Sequence, residues 1–319
     1  MPTDAILSTA RQYLEVDPSV SVILEPIQRG ASGRTIVRVR SEGRPSFIGV
    51  HYTDEREDNE NFAPAARFLR MARMNVPEIL RNNPSRRAFL MEDLGDKHLL
   101  DLKGRPFEEM APYYRSVFEQ IDRLFYTRKQ PDFELMPAFD ESLYRWEQEY
   151  CFEYLVEGLL GMDADPLRED PAFADIAAKL GATYKHLVHR DLQSQNIMIH
   201  DGKAWLIDFQ GLRRGRQEYD LASLVHDPYM DHDAEGRERL LDLWEDIAED
   251  RPEQSLFNMC AAQRLMQALG AFGNIIKNRR DDWYRPHVPV AARHLRGVVE
   301  GTALEDALAP VLDKAESFS

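Results

Sequence analysis

Two acidic side chains and one carboxamide lie close together in the sequence and together could hold a metal ion. Asn196 follows Asp191 by five positions, and Asp208 comes a dozen residues later. Carboxylate and amide oxygens are ligands that Mg²⁺ takes in proteins, and a carboxylate can also orient a hydroxyl group for attack. Two acids and an amide in this order therefore supply what phosphoryl transfer from ATP requires.

A β-hairpin is expected to bring these residues together. Two short apolar runs, 197–199 and 204–207, are separated by Asp201-Gly202. An Asp-Gly step between apolar runs is typical of a type I′ turn, because both central residues of that turn need positive φ. Asp208 would then lie at the mouth of the second strand. A solvated hairpin whose polar residues only cap turns is the alternative interpretation.

A wider ordered set surrounds the hairpin: His189-Arg190-Asp191, Asn196, Ile207-Asp208-Phe209, Gln210 and the segment 218–224. This set resembles the catalytic loop and metal-binding aspartate of the aminoglycoside phosphotransferase and choline kinase family. The resemblance implies an α+β, bilobal protein-kinase-like fold. It would have a β-rich N-lobe over residues 1–94 and a mainly helical C-lobe over residues 95–319. It also implies ATP and Mg²⁺ as cofactors.

The resemblance assigns roles to the polar residues of the hairpin. Asp191 is expected to accept or orient the proton of the acceptor hydroxyl, while Asn196 and Asp208 are expected to hold Mg²⁺ on the phosphates. Catalysis would then rest mainly on positioning and charge neutralisation. Asp220 opens a predicted helix, which it can cap. The family resemblance implies that it also braces the backbone of the catalytic loop.

A turn of small residues between two β-rich runs is the candidate phosphate-covering loop. It contains Gly30, Ser32 and Gly33, and glycine lets backbone N–H groups approach a phosphate closely. Alone, this pattern favours an ordinary hairpin turn, but its place ahead of the catalytic segment follows the order found in kinases and indicates a phosphate-covering loop. Arg34, which comes next, would contact a phosphate oxygen or point to solvent.

The third β-rich run, residues 46–52, departs from the family pattern. Family members usually carry a lysine there that contacts the ATP phosphates, and kinases pair this lysine with a glutamate of the next helix. This chain offers His51 at the matching position or no cation at all, and Glu57 and Glu60 have no clear partner. A neutral imidazole can still donate one hydrogen bond to a phosphate. A surface histidine at a strand end is the alternative.

The segment 91–96 resembles the hinge between the lobes of a kinase, where backbone groups bind adenine. Glu92 and Leu94 are the expected adenine-binding positions, assigned by their order in the chain alone. Backbone recognition leaves little trace in the side chains, so the resemblance is the only support for these two residues.

The remainder of the chain is predicted to be helical. Apolar residues recur at helical spacing in the segments 107–126, 142–160, 171–187 and 257–276. The third of these would deliver the chain directly to His189-Arg190-Asp191, which we call the catalytic turn. Arg264 interrupts the apolar face of the fourth, so it should either pair with a nearby acid, which we favour, or line the substrate cleft.

Composition restricts the class of partner. The 319 residues include 55 acids and 40 bases, which gives a formal charge of −15 and argues against binding to a nucleic-acid backbone. Two cysteines, Cys151 and Cys260, cannot form a disulfide framework and are expected to be buried. The sequence has no secretory signal and no apolar run that could cross a bilayer. We expect a cytoplasmic monomer that acts on a small molecule without membrane or nucleic acid.

A closer resemblance to one group within the family suggests the acceptor. The Gly-Ala-Ser turn, the Met-Glu-Asp-Leu-Gly hinge and the Ile-Asp-Phe-Gln motif look similar to bacterial cell-wall-recycling kinases. Those enzymes phosphorylate the anomeric hydroxyl of N-acetylmuramic acid and N-acetylglucosamine. Aminoglycosides, choline or another amino sugar are alternative acceptors. A nucleotide-binding pseudokinase, suggested by the missing lysine, and a two-carboxylate metal phosphohydrolase are the other classes of function that the residues allow.

Overall fold

Five antiparallel strands form one sheet near the amino terminus of the computed structural model, which describes residues 1–17, 19–27, 33–54, 57–248 and 251–318. The strands are β1 (Val22–Pro26), β2 (Thr35–Ser41), β3 (Phe47–His51), β4 (Ile79–Asn83) and β5 (Ala88–Glu92). Their order across the sheet is β1-β2-β3-β5-β4. The third β-rich run, predicted over residues 46–52, is β3 and is shorter by one residue at each end.

The two faces of this sheet are covered by different helices. Helix α1 (Pro2–Leu14) packs on one face, where Ile6 joins Val37 and Phe47 in a small core. On the opposite face, Phe62 at the start of α2 (Phe62–Met71) stacks on Phe89 of β5, with 4.7 Å between the ring centroids. The side chains of this second face also belong to the main core of the protein. We call it the cleft face.

Helices make up most of the chain after β5. They are α3 (Phe107–Phe125), α4 (Glu141–Cys151), α5 (Asp165–Glu169), α6 (Pro171–Gly181), α7 (Gln217–Val225), α8 (Ala234–Ala248), α9 (Gln254–Asn274), α10 (His287–Val299) and α11 (Glu305–Glu316). Both cysteines are buried and free, as expected. In the described ranges, none of these helices is long and apolar enough to span a membrane.

Two short strand pairs lie among the helices and flank the candidate catalytic residues. Strand β6 (His186–Val188) pairs with β9 (Arg213–Gly215), and β7 (Ile197–His200) pairs with β8 (Lys203–Leu206). Asp201 and Gly202 connect β7 to β8 with φ of 49° and 71°, which confirms the predicted hairpin turn.

The helix predicted over residues 171–187 is wrong at its carboxy-terminal end. α6 stops at Gly181, and the chain then enters β6. Residues 186–188 satisfy their backbone hydrogen-bonding groups in the ladder with β9, which is a long-range pairing that helical periodicity cannot reveal. A strand, not a helix, therefore delivers the chain to the catalytic turn.

Helix α9 lies close to α4 and its continuation because two glycines bring the backbones together. After Cys151, α4 widens into a π-helical segment, Phe152–Leu159, and α9 widens likewise over Ile275–Arg279. A Cβ atom added at Gly270 would lie 2.8 Å from the carbonyl oxygen of Tyr150. This close packing fixes the position of α9, the helix that carries Arg264.

Replacing Gly273 with alanine tests this packing. A Cβ atom there would overlap the carbonyl oxygen of Tyr154, so Gly273→Ala should lower the free energy of unfolding by about 1–3 kcal/mol. Gly297→Ala in α10 is the matched control, because nothing lies within 4 Å of its added Cβ. We expect the control to gain about 0.5–1 kcal/mol from helix propensity. Equal effects of the two variants in urea unfolding would contradict the assignment.

Candidate active site

The catalytic turn is held by a buried carboxylate. Asp220, in the first turn of α7 and fully buried, accepts hydrogen bonds from the backbone N–H groups of His189 (2.6 Å) and Arg190 (2.9 Å). Burial raises the pKa of the Asp220 carboxyl to about 7, and these two hydrogen bonds oppose that rise. Arg190 has a φ of 81°, a conformation that costs free energy in a residue with a side chain. Asp220 thus braces a strained turn, and it does not cap α7.

His189 ties the turn to the strand that precedes Asp208. Its Nε2 lies 3.0 Å from the carbonyl oxygen of Ile207. A carbonyl only accepts, so Nε2 carries the proton in this contact. Burial lowers the pKa of the imidazole, which keeps the ring neutral. His189 therefore has a structural role in aligning the two halves of the site.

Asp191, the candidate base, is held by an arginine from a distant helix. The Nη2 of Arg264 donates to Asp191 Oδ1 (3.1 Å) and to Gln193 Oε1 (2.9 Å). Its Nε donates to Ser223 Oγ (2.9 Å), and the Arg264 side chain is only 6% exposed. The expected ion pair exists, but its acid is Asp191 itself, so Arg264 also lies in the cleft.

Asn196 and Asp208, the candidate metal ligands, lie side by side across the hairpin. The N–H of Ile207 donates to the carbonyl oxygen of Asn196 (3.0 Å), which brings the residue after Ile207 next to Asn196. Asn196 Nδ2 donates to the carbonyl oxygen of Asp191 (2.9 Å), so its Oδ1 points the opposite way. Asp208 has a φ of 61°.

This donor set fits Mg²⁺. The ion commonly takes one or two protein carboxylates and completes its shell with phosphate oxygens and water, and one carboxylate with one amide oxygen meets that need. No group of three or more histidine, cysteine, aspartate or glutamate side chains that could hold a metal occurs among the described residues.

Two of the four residues predicted to cover the phosphates are described. Gly30 and Ser32 lie outside the described residues, whereas Gly33 has a φ of 70°, which favours glycine. Arg34 does not point to solvent. Its side chain is 5% exposed, and its Nη1 donates to Asp208 Oδ1 at 3.1 Å.

His51 lies away from Arg34 and Asp208. It pairs directly with Thr35 in the sheet and shares a face with Phe47 and Gly49, which pack toward α1. Burial lowers the pKa of the His51 imidazole, and the positive charges of the amino terminus and Arg87 lower it further. The structure thus does not bring His51 together with the other candidate phosphate ligands.

The hinge is rigidly tied to the sheet. Arg38 of β2 binds the Asp93 carboxylate through Nε (2.7 Å) and Nη2 (3.0 Å). Glu92 is the last residue of β5, and the carbonyl oxygen of Leu94 lies 3.1 Å from His200 Nδ1. No described residue accepts a hydrogen bond from the Leu94 N–H. A backbone donor thus stands at one of the two positions expected to bind adenine.

An aromatic cluster lies near Asp191 on the side of α9 and α10. It consists of Tyr229, Phe272, Trp283, Tyr284 and His287, and the centroid of the tilted Trp283 ring lies 5.6 Å from that of Tyr229 and 4.7 Å from that of His287. Burial raises the pKa of the Tyr284 phenol, and the negative charges of Asp281 and Asp191 raise it further. Trp283 remains 47% exposed, so the cluster offers an accessible aromatic surface within electrostatic reach of the candidate base.

The family is decided by a match over most of the chain. The family model described as "Phosphotransferase enzyme family" (APH) matches residues 23–256, which include the whole catalytic hairpin. The chain belongs to this family. It is therefore a phosphotransferase, and the expected family assignment is confirmed.

Two characterised relatives cover most of this phosphotransferase. The N-acetylmuramate/N-acetylglucosamine kinase of Pseudomonas aeruginosa is 25% identical over 309 residues, covering 92% of this chain and 88% of that protein. The enzyme of the same name from Neisseria meningitidis is 26% identical over 261 residues, covering 77% of each chain.

Solved structures confirm the fold class. Choline kinase LicA from Streptococcus pneumoniae has a TM-score of 0.65 at 12% identity, covering 94% of this chain and 100% of that one. A choline/ethanolamine kinase family protein from Mesorhizobium loti has a TM-score of 0.63 at 16% identity, covering 99% of both. The phosphotransferase thus has the predicted bilobal, protein-kinase-like α+β fold.

Some residues of the phosphotransferase site gave no signal in the sequence. Asp227 is fully buried and accepts from the backbone N–H groups of Ser194 (2.7 Å) and Tyr229 (2.9 Å). It braces the second half of the catalytic loop as Asp220 braces the first. For the aromatic cluster, the close succession of Trp283, Tyr284 and His287 is a signal in the sequence that could have been used.

Replacing Asp220 with asparagine tests the brace. A carboxamide has one oxygen, so it can accept from only one of the two N–H groups and turns its NH₂ toward the other. We expect Asp220→Asn to lose about 1–3 kcal/mol of unfolding free energy. The control is Asp233→Asn, where the exposed carboxylate accepts from Gly236 N–H at the start of α8 and asparagine caps equally well. A brace role is refuted if both variants unfold at the wild-type denaturant concentration.

Replacing Arg264 tests whether it positions Asp191. Arg264→Met removes the contacts to Asp191 and Gln193, so kcat should fall about 10²-fold as the base loses its alignment. Arg264→Lys keeps the charge but cannot donate to both partners as the guanidinium does, and we expect an intermediate kcat. Nucleotide affinity, measured by calorimetry, should stay near wild type in both. An unchanged kcat in Arg264→Met would rule out the positioning role.

Proposed function

We propose that this phosphotransferase transfers the γ-phosphoryl group of ATP to a sugar hydroxyl in an Mg²⁺-dependent reaction. The preferred acceptor is the anomeric hydroxyl of N-acetylmuramic acid or N-acetylglucosamine, as used in cell-wall recycling. The arrangement of Asp191, Asn196 and Asp208 around one braced hairpin carries the proposal. The names of the two relatives support the choice of acceptor.

Each residue of the hairpin has one task in the proposed reaction. Asp191 accepts a hydrogen bond from the acceptor hydroxyl and takes its proton as the new O–P bond forms, while the bond from the γ-phosphorus to the bridging oxygen breaks and ADP leaves. Asn196 and Asp208 supply the oxygens that hold Mg²⁺, which when bound neutralises charge on the phosphates. Arg264 keeps one oxygen of Asp191 fixed, so the other can face the hydroxyl. The chain thus contributes alignment and charge, which phosphoryl transfer mainly needs.

Nucleotide binding is assigned to the amino-terminal sheet and the hinge. We propose that residues 1–94 act as the lobe that covers the nucleotide and residues 95–319 as the lobe that carries the acceptor. The Leu94 N–H and the carbonyl oxygen of Glu92 would bind adenine, and Gly30, Ser32 and Gly33 would approach the phosphates. Arg34 lies next to the metal ligand Asp208, which supports a position near the phosphates.

The acceptor is assigned to the space between Asp191 and the aromatic cluster. Ligand sites are commonly lined by aromatic side chains with a few polar groups that set the orientation. The exposed ring of Trp283 gives a surface for the apolar face of a sugar ring. The anomeric end would enter first toward Asp191, with the rest of the ring against the helices.

A cationic acceptor is the second candidate, and the same aromatic cluster favours it. Aromatic faces attract quaternary ammonium groups as well as sugar rings, and the chain is strongly acidic overall. Choline and aminoglycosides therefore belong in any acceptor panel. We further propose that the enzyme works as a monomer in the cytoplasm, where ATP is supplied.

A pair of acceptors that differ by one methyl group tests the proposal. With Mg²⁺ and ATP, N-acetylglucosamine or N-acetylmuramic acid should gain one phosphate, detected by mass spectrometry. The corresponding methyl glycosides should gain none, because the methyl group replaces the proton that Asp191 takes and adds bulk at the reacting oxygen.

Asp191→Asn serves as the control for background transfer. Its kcat on the free sugar should fall about 10²–10⁴-fold, the usual contribution of a general base. Equal rates on the free sugar and its methyl glycoside would disprove the anomeric assignment while leaving the kinase intact. Transfer to choline or an aminoglycoside but to neither sugar would select the second candidate.

A further inference from the structure

The cleft face of β3 carries no cation. Successive residues of a strand point to opposite faces, and Ile48, Val50 and Tyr52 belong to the main core on the cleft face. His51 points to the face covered by α1. The lysine that the family usually carries on this strand therefore has no counterpart on β3 itself.

Arg34 brings a guanidinium into the cleft from the neighbouring strand. It immediately precedes β2, and its alternation with Ile36 and Arg38 sets it on the cleft face. Ile36 packs on the main core, and Arg38 binds the hinge. The Arg34 side chain is 5% exposed and reaches Asp208 at 3.1 Å. The buried guanidinium thus lies beside the residue expected to hold Mg²⁺.

The short helical turn Glu57–Asn59 supplies the anchor for this arginine. Asn59 Oδ1 accepts from Arg34 Nε at 2.7 Å, and Asp58 Oδ1 lies 3.9 Å from Arg34 Nη2. Asn59 is itself fixed, because its Nδ2 donates to the carbonyl oxygen of Thr53 at 2.8 Å. Asn59 therefore holds the Arg34 guanidinium on the side away from Asp208.

Gln210 closes the network between the two acids. Its Nε2 lies 2.9 Å from Asp208 Oδ1 and 3.4 Å from Asp58 Oδ2. Arg34 and Gln210 thus connect the same two carboxylates, Asp58 and Asp208. The Asp58 side chain is nearly buried, and that of Asp208 is about one-third exposed.

The guanidinium keeps donor capacity for a ligand. An arginine has five N–H donors in a rigid fork. Nε is used by Asn59 and Nη1 by Asp208, while Nη2 is buried and makes no hydrogen bond to any described residue. Phosphate oxygens are the anions that such a fork binds best. Arg34 therefore has N–H donors that its anchor on Asn59 does not use, and a turn of the guanidinium would present them to a phosphate.

We infer that Arg34 supplies, from the start of β2, the phosphate-binding cation that β3 lacks, with Asp58 and Asn59 as its anchor. In this arrangement Arg34 also holds Asp208 while no nucleotide is bound, and it turns its Nη donors to the β- and γ-phosphates when Mg²⁺ takes Asp208. The inference rests on the proposed use of ATP. It replaces the lysine–glutamate pair expected from the family with an arginine–aspartate–asparagine set.

A purely structural tie between the sheet and the catalytic hairpin is the competing explanation. The phosphate contact and the structural tie predict different effects of replacing Arg34 on the binding of different ligands. A phosphate contact affects ATP and ADP but not adenosine, whereas a structural tie affects all three ligands alike through the shape of the cleft. Binding of ligands with and without phosphates therefore separates the two.

The test is isothermal titration of wild type and Arg34→Met with Mg²⁺–ATP, Mg²⁺–ADP and adenosine. Loss of a charge-assisted hydrogen bond should weaken Mg²⁺–ATP binding about 10- to 100-fold. Adenosine affinity should change less than about threefold. Arg34→Lys, which keeps the charge and disturbs the fold less, should weaken Mg²⁺–ATP binding to a smaller extent and leave adenosine unchanged.

Arg38→Met is the matched control, because Arg38 follows Arg34 by four residues and lies on the same face of the sheet, but binds the hinge acids. It should change the affinities for Mg²⁺–ATP and adenosine by the same factor. If Arg34→Met and Arg34→Lys weaken adenosine as much as Mg²⁺–ATP, or weaken neither, the inference is wrong. If wild type binds Mg²⁺–ATP no more tightly than adenosine, the proposed function is wrong, whatever the Arg34 variants show.

Discussion

The two hydrogen bonds from the catalytic turn to Asp220 are the contact on which the rest of the site depends. They hold the backbone of His189 and Arg190 against a fully buried carboxylate, so the strained φ of Arg190 is compensated by the core. The position of Asp191 follows from that turn, and His189 passes the alignment on to Ile207 and hence to Asp208. A phosphotransferase that works mainly by positioning needs such a rigid reference, and here it is set by α7 and not by the loop itself.

Charge in the cleft is arranged in opposed pairs. Asp191 is faced by Arg264 and Asp208 by Arg34, and both arginines are nearly buried. A chain with a formal charge of −15 would otherwise repel a nucleotide polyphosphate from a site built on carboxylates. The paired arginines reduce that repulsion locally, where Coulomb interactions are strongest. Net charge therefore says little about what the cleft binds, although it remains unfavourable for a nucleic-acid backbone.

The sequence was informative wherever the signal is local. The Asp201-Gly202 turn, the strands of the sheet and the order of Asp191, Asn196 and Asp208 depend on neighbouring residues, and the structure has the turn and the strands as expected. The end of α6 was missed because β6 gains its hydrogen bonds from β9, about thirty residues away. The partners of Arg264 and Arg34 were beyond reach for the same reason. Arg264 lies in α9 and Arg34 just before β2, each far along the chain from the aspartate that it binds, so only the fold brings the pair together.

Different contacts of this fold tolerate different amounts of change. The brace on the catalytic turn requires a carboxylate at one place, because two backbone N–H groups must be met at once. Binding of the phosphates requires only a positive charge at the right position. Side chains from two neighbouring strands can both reach that position, because their cleft-facing side chains lie about 5 Å apart. The long side chain of arginine makes this easier just before the start of β2 than on β3, where Val50 packs in the core. A missing lysine on one strand is therefore weak grounds for concluding that a phosphotransferase has lost catalysis; the position of charge in the folded cleft is the better criterion.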